Sequence, residues 1–278
     1  MILSGKAKLA GVLGWPIGHS RSPRLHGYWL EQHHIDGAYV PLAVRPEDFE
    51  DILRALPRMG FAGANVTIPH KEKALALADH VEPLARRIGA VNTLVVRENG
   101  MIEGRNTDAF GFLENIRHAV PGFKAENGPA VVIGAGGAAR AVVAALLDDG
   151  VPLVRLINRT RGRAAEVARA LGGSIEVVAW EERSNALAGA ALLVNTTSLG
   201  MSGQPPLDLA LNDLPLDAVI NDIVYVPLET PLLADGRQRG HRVVDGLGML
   251  LHQARAGFHA WFGVMPSVTE DLRRFVKD

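Results

Sequence analysis

The sequence predicts two α/β domains, and three observations carry the prediction. From residue 130 onward, strand-length runs of β-branched and apolar residues alternate with Ala- or Arg-rich helical stretches, the pattern of βαβ units on a parallel sheet. One of those strands, AVVIG, runs straight into a glycine-rich turn and an Ala-rich helix. The chain has 278 residues, 47% of them hydrophobic, which suffices for one large domain or two ordinary ones with a substantial core.

Taken in order, LAGVLGWPI reads as a strand, and Ser22-Pro23 supplies an N-cap and a proline at the first helical position for SPRLHGYWLEQHH. AYVPLAV is a second strand. In PEDFEDILRALPRMG, Phe49, Ile52, Leu53 and Leu56 keep the i, i+3, i+4, i+7 spacing of an amphipathic helix. GANVTIP gives a third strand, KEKALALAD a third helix, and VNTLVVRENGMIEG a hairpin turning at Asn99-Gly100. AVVIG, LVRLI, IEVV, ALLVN and AVINDIV follow as strands, with AARAVVAALLDDG and TRGRAAEVARAL as helices among them. Two helical patterns, MLLHQARAGFHAWFG and PSVTEDLRRFV, close the chain. The expected division is a first domain over residues 1–107 and a second over 108–246, with the helices of 247–278 packing back on the first. Ligand sites favour clefts between domains, which draws attention to that boundary.

Composition removes several function classes. Net charge is −1 and the basic residues are spread along the chain, against nucleic acid or an anionic membrane as partner. The absence of cysteine removes disulfides, thiolate nucleophiles and Cys-type metal sites, and the ten histidines show no ligand spacing, so no metal is expected. The N-terminal MILSGKAKLAGVLGWPIG faintly imitates a signal peptide, but Gly11 and Gly14 interrupt its apolar run. No apolar stretch approaches the ~20 residues of a membrane span. A cytoplasmic protein is expected, with monomer and homodimer both open.

In the turn after AVVIG, Gly134, Ala135, Gly136, Gly137, Ala138 and Ala139 match GxGxxG/A between a strand and a helix. Such glycines allow a tight turn and the close approach of a pyrophosphate, seated on the helix N-terminus. A glycine-rich βα turn without ligand is the plainer alternative. The next strand ends in LINRTRGR, where NAD-binding versions carry an acid for the ribose 2′-hydroxyl. Here stand Asn158, Arg159, Thr160 and Arg163, with no acid. The guanidinium fork suits a 2′-phosphate, so NADP is the expected cofactor, although some of these arginines also belong to a solvated helix face.

The first part of the chain holds the reactive candidates. Ser20 and Ser22 flank Arg21 at a helix start, where two hydroxyls beside unpaired N–H groups make either a cap or a carboxylate site. Asn65 and Thr67 share a strand face by the two-residue period, and Lys71 follows at a helix start, where a cation is mildly unfavourable. Asn92 stands at the start of another strand, and Asn106 and Asp108 lie at the predicted junction. Turn or cap chemistry explains each singly. Converging on one cleft, they make a pocket for a small hydroxyl-rich molecule.

The pieces PIGHSRSP, NVTIPHKE, GAVNTL, GRNTDAFGF, VIGAGGAAR, NRT, NTTSLGM, DIVYVPLETPLL and DGLGMLLHQARAGF span residues 16–258, and in order and spacing they resemble shikimate dehydrogenases and their quinate/shikimate relatives. The resemblance implies NADPH-dependent reduction of 3-dehydroshikimate to shikimate, on a route to aromatic amino acids. It implies an N-terminal substrate domain and a Rossmann-like NADP domain, with the active-site cleft between them and the C-terminal helices returned to the first. Ser20 and Ser22 would bind the substrate carboxylate; Thr67, Asn92, Tyr225 and Gln253 its hydroxyls, alongside Lys71 and Asp108. Residues 134–138 would take the pyrophosphate and Asn158 through Arg163 the ribose phosphate, with Ile223, Gly246 and Met249 near the nicotinamide. Two positions depart from the pattern: His70 stands where an aromatic is more usual, and Ala139 replaces the third glycine. The implied chemistry needs a proton at the ketone oxygen, with Lys71 as donor and Asp108 orienting it. A quinate/shikimate dehydrogenase of broader cofactor or substrate use is the alternative.

Overall fold

The structure, a computed structural model, describes residues 2–277. The chain divides into two compact units, Met1–Thr107 with Leu251–Asp278, and Asp108–Leu250.

In the first unit the elements run β1 (Lys8–Gly14), α1 (Ser22–Gln32), β2 (Gly37–Ala43), α2 (Phe49–Ala55), β3 (Phe61–Val66), α3 (Lys71–Leu77), β4 (His80–Val81), α4 (Pro83–Ile88), β5 (Thr93–Val96) and β6 (Ile102–Arg105). Their sheet has the order β2-β1-β3-β5-β6-β4. The βα crossovers make β2, β1 and β3 parallel, whereas β5, which follows β3 by way of α3, β4 and α4, runs antiparallel to it and forms a hairpin with β6. The hairpin turns at Asn99-Gly100: Arg97 N–H donates to the Met101 carbonyl at 2.8 Å, and Met101 N–H to Asn99 Oδ1 at 3.1 Å. Phe49, Leu53 and Leu56 bury the apolar stripe of α2 against Leu13, Val66 and Ala74. The strand β4 has two residues, too few to register as alternation in a sequence.

The helix predicted from Ser22 forms, with proline in its first turn, but Ser22 is not its cap. Arg21 occupies the cap position in a helical conformation, no side chain caps it, and Ser22 is the first helical residue, buried. Its N–H is taken by Ser20 Oγ at 3.3 Å.

In the second unit come α5 (Asp108–Ala119), β7 (Ala130–Ile133), α6 (Gly137–Asp148), β8 (Val154–Ile157), α7 (Arg161–Leu171), β9 (Ile175–Val178), β10 (Leu192–Asn195), β11 (Val219–Asp222), α8 (Pro231–Gln238) and β12 (Arg242–Val244). The sheet order is β12-β11-β10-β7-β8-β9, all pairs parallel. Counted from β7, that is 3-2-1-4-5-6, the doubly wound order whose ligands lie at the carboxyl ends of the strands. The periodicity missed α8 and β12; Thr230, whose hydroxyl accepts from Leu233 N–H, and Pro231 are the start signal for α8.

Helix α9 (Leu247–Phe262) crosses from the second unit into the first at Leu251, and α10 (Glu270–Lys277) follows. In the first unit, Trp261 Nε1–H donates to the Leu94 carbonyl at 2.9 Å, and Trp29 Nε1–H to the Ser267 carbonyl at 3.1 Å. Trp29, Trp261 and Phe258 bury there around His26, whose ring stacks on Tyr39 at 3.9 Å.

Candidate functional site

The first unit holds a connected set of buried polar side chains. On β3, Asn65 sits where its neighbours are strand residues, and three groups fix it. Tyr39 O–H donates to Asn65 Oδ1 at 2.6 Å; Asn65 Nδ2 donates to the Asn92 carbonyl and to Thr93 Oγ1, each at 3.2 Å. Thr93 passes its own hydrogen to Asn92 Oδ1 at 2.9 Å. Asn92 Nδ2 reaches Thr107 Oγ1 at 3.1 Å and Gln253 Oε1 at 3.5 Å. The strand pairing of Asn65 with Thr93, and of Thr93 with Arg105, brings these three chain segments side by side, and α9 adds Gln253. Two of the predicted substrate residues, Asn92 and Gln253, thus meet in one network.

Burial raises the Tyr39 phenol well above its ordinary range, a hydrogen bond with Ser22 partly offsetting it. Burial also pushes the His26 imidazole down to about 3; Asn65 pulls the other way, yet neither ring nitrogen reaches hydrogen-bonding geometry with a partner. His26 is therefore a neutral, aromatic packing piece at physiological pH.

Lys71 is half-buried and opens α3. The turn that presents it is pinned on both sides. Thr67 N–H donates to the Leu13 carbonyl at 2.9 Å, His70 N–H to the Thr67 carbonyl at 2.9 Å, and Val91 N–H to the Lys71 carbonyl at 3.0 Å. The last bond ties the start of α3 to the residue preceding Asn92. His70 stacks on Phe49 at 4.3 Å, and its Nε2 lies 2.8 Å from the Val44 carbonyl. A carbonyl only accepts, so Nε2 carries the hydrogen, and burial lowers the pKa of this ring. His70 thus fills the aromatic position by stacking and adds an anchor for the turn. Ser20 is half-buried, and its Oγ accepts from the Ser22 backbone, which leaves the hydroxyl hydrogen for a ligand. Asn106 donates to the Ala90 carbonyl at 2.9 Å and holds the turn before Thr107.

The remaining predicted residues belong to the second unit. Asp108 is the buried first residue of α5. Gly134 has φ +117°, and a Cβ there would lie 2.3 Å from Thr196 Oγ1, so both conformation and space exclude a side chain. A Cβ on Gly136 or Gly137 would meet nothing within 4 Å. Those two glycines are exposed at the N-terminus of α6, beside half-buried Ala135 and Ala138, and the protein's own atoms do not require them to be bare. Ala139 is fully buried, the close helix–sheet contact that the third motif position serves. After β8, Asn158 Nδ2 donates to the Thr160 carbonyl at 2.9 Å, while Arg159, Thr160 and Arg163 are exposed. Gly246 packs against the backbone of Ile223 and Val224, where a Cβ would lie 2.1 Å from the Ile223 carbonyl oxygen. Tyr225 follows half-buried, and Met249 is buried. Open backbone at a helix start, an acid-free strand end and exposed guanidinium groups fit a dinucleotide carrying a 2′-phosphate.

Sequence reasoning missed two groups. Tyr39, Thr93 and Thr107 looked like ordinary strand and turn residues, although Thr93 and Thr107 stand beside the asparagines that drew attention. Asp222 is fully buried and accepts from Asn195 Nδ2 at 3.0 Å, Val224 N–H at 3.0 Å and Thr230 O–H at 2.8 Å. Burial raises its pKa. It ties the loops after β10 and β11 together, and DIV-type runs gave no sign of it. Among the described residues no His/Asp/Glu cluster suits a metal ion, and no helix is long and apolar enough to cross a membrane.

Comparison with known proteins bears on both units. Residues 12–94 match the shikimate dehydrogenase substrate binding domain, residues 117–201 the shikimate/quinate 5-dehydrogenase family, and residues 246–273 the shikimate 5′-dehydrogenase C-terminal domain. The chain is 67% identical over 274 residues to a shikimate dehydrogenase (NADP(+)) of Paramagnetospirillum magneticum, covering 99% of each. A shikimate 5-dehydrogenase of Thermus thermophilus, solved in complex with NADP(H) and shikimate, is 37% identical, with TM-score 0.86 over 97% of this chain and 98% of that one. A quinate dehydrogenase of Corynebacterium glutamicum, in complex with NAD, is 30% identical, with TM-score 0.88 over 98% of each chain.

Proposed function

The chain belongs to the shikimate dehydrogenase family, and from that premise we propose that it interconverts 3-dehydroshikimate and shikimate with NADP(H). The observation that carries the substrate reading is the buried Asn92–Gln253 network of the first unit, amide groups set to meet a ring of hydroxyls. The first unit is the substrate domain and the second the NADP domain.

Bound NADPH supplies the hydride. As negative charge collects on the ketone oxygen of the substrate, Lys71 Nζ delivers a proton to it, and in the oxidative direction takes it back. Asp108 orients the lysine and accepts from a substrate hydroxyl. Ser20 and Ser22 donate to the carboxylate, and Thr67, Asn92, Tyr225 and Gln253 hold the hydroxyls. Gly134 through Ala138 leave room for the pyrophosphate at the start of α6; Asn158, Arg159, Thr160 and Arg163 take the ribose 2′-phosphate; Ile223, Gly246 and Met249 border the nicotinamide. The enzyme works in the cytoplasm, as a monomer or homodimer.

The test is spectrophotometric. Turnover with shikimate and NADP is expected, and Arg159→Ala should raise KM for NADP about tenfold while leaving NAD unaffected. Absence of turnover with shikimate under either cofactor would overturn the proposal. A second reading, quinate/shikimate oxidation with broader cofactor use, has the likeness to an NAD-bound quinate dehydrogenase behind it. Faster turnover of quinate with NAD than of shikimate with NADP would establish that reading instead.

A further inference from the structure

Thr107 is buried at the end of the first unit and is absent from the positions that the family resemblance assigns to substrate. Around it the direction of each hydrogen bond is forced. Its backbone N–H, which only donates, lies 2.9 Å from Asn92 Oδ1. That identifies the other end of the Asn92 amide, Nδ2, as the donor to Thr107 Oγ1 and to Gln253 Oε1. The Thr107 hydroxyl therefore accepts from Asn92 and has one hydrogen to give. Within reach are Gln253 Oε1 at 3.2 Å, Asn92 Oδ1 at 3.3 Å and Thr93 Oγ1 at 3.3 Å. Asn92 Oδ1 already receives hydrogens from the Thr107 backbone and from Thr93, so Gln253 Oε1, the nearest acceptor, takes it. Two donors then converge on Gln253 Oε1. A flipped amide would set Nε2 against Asn92 Nδ2, donor facing donor.

We propose that Thr107 is a positioning residue for substrate specificity, its hydroxyl locking the Gln253 amide so that Nε2, a pure donor, is the end that meets a substrate hydroxyl. This rests on the proposed function above, and it sharpens it. A site with a fixed donor accepts a polyol whose oxygen stands at that point and disfavours an analogue lacking it. Tyr39, Asn65 and Thr93 back the lock from the β3 side by holding Asn92 in its one orientation. Without the Thr107 hydroxyl, Gln253 Oε1 loses its shorter partner in this network, the 3.5 Å contact to Asn92 being the longer one.

The experiment compares Thr107→Val, Thr107→Ser, Gln253→Ala and the Thr107→Val/Gln253→Ala double variant, each by KM and kcat for shikimate, KM for NADP and thermal midpoint. Thr107→Val is expected to raise KM for shikimate about tenfold, with KM for NADP changed by less than about twofold. Thr107→Ser, which keeps the hydroxyl and loses only a methyl, should restore KM for shikimate to within about threefold of the unmodified enzyme. Because the threonine acts through the glutamine, the double variant should be no more than about threefold worse than Gln253→Ala alone. A KM for Thr107→Val that stays near that of the unmodified enzyme, or effects that multiply in the double variant, would overturn the assignment. Should Thr107→Val not fold, Thr107→Ser still decides: a KM raised about tenfold means that the methyl and not the hydroxyl matters. An unmodified enzyme inactive on shikimate would instead overturn the reading on which the proposal rests.

Discussion

In the first unit Asn65, Asn92 and Gln253 are buried and already hydrogen-bonded, whereas at the edge of the second the glycines at 136 and 137 face open space and Arg159 and Arg163 stand exposed. On the proposed function, the first region recognises its ligand with side chains held in place by other side chains, and the second with backbone at a helix start and with exposed guanidinium groups. The two are therefore vulnerable in opposite ways. A buried network fails when an atom is removed, because the partner left behind stays desolvated and unpaired. A bare backbone cradle fails when an atom is added.

Removal at the reacting centre should have the largest effect. Lys71→Ala is expected to lower kcat by roughly 10²–10⁴, the usual worth of a positioned acid, with the KM for NADP little changed. Loss of NADPH absorbance measures it, and near-normal turnover would take the proton away from Lys71. Next comes the aromatic packing behind the network. His26 keeps a pKa of about 3 in the folded state against 6.5 when exposed. The unfolded chain therefore binds a proton that the native one refuses, and stability falls as pH drops from 6.5 toward 3. His26→Phe keeps a flat ring without that proton. At about pH 4.5 it should lose roughly 2–3 kcal/mol less than the unmodified protein does relative to neutral pH. Parallel acid limbs in urea unfolding would show that His26 is not the group responsible. The smallest effect on folding, and the sharpest test of the comparison, is Gly136→Val. Its φ of −88° and ψ of −171° suit any residue, and nothing lies within 4 Å of the added Cβ. The thermal midpoint should move by no more than the equivalent of about 1 kcal/mol, while KM for NADP rises at least about tenfold. An unchanged KM would place the pyrophosphate elsewhere.

Much of the fold was legible because periodicity reports burial. The apolar runs of AVVIG, LVRLI and ALLVN, and the spacing of Phe49, Leu53 and Leu56, are direct consequences of which faces meet a core. Elements of two or three residues, β4 and β12, carry too little period to be seen. The serine pair shows a subtler limit: Ser22 has the composition of a cap, but packing of α1 draws it inside and leaves Ser20 to bond the backbone. His70, a departure on paper, proves to be a stacked ring with a satisfied nitrogen.

The two α/β domains, the glycine turn after β7 and the missing acid after β8 can be read from the chain alone, because each depends on residues adjacent in it. Which polar groups are already spoken for emerges only once the chain is folded. Thr107 and Gln253 lie 146 positions apart in the chain, yet a single hydrogen bond joins them. Hydrogen-bond direction is settled by three-dimensional neighbours, an obligate donor here and an obligate acceptor there. No spacing rule encodes it.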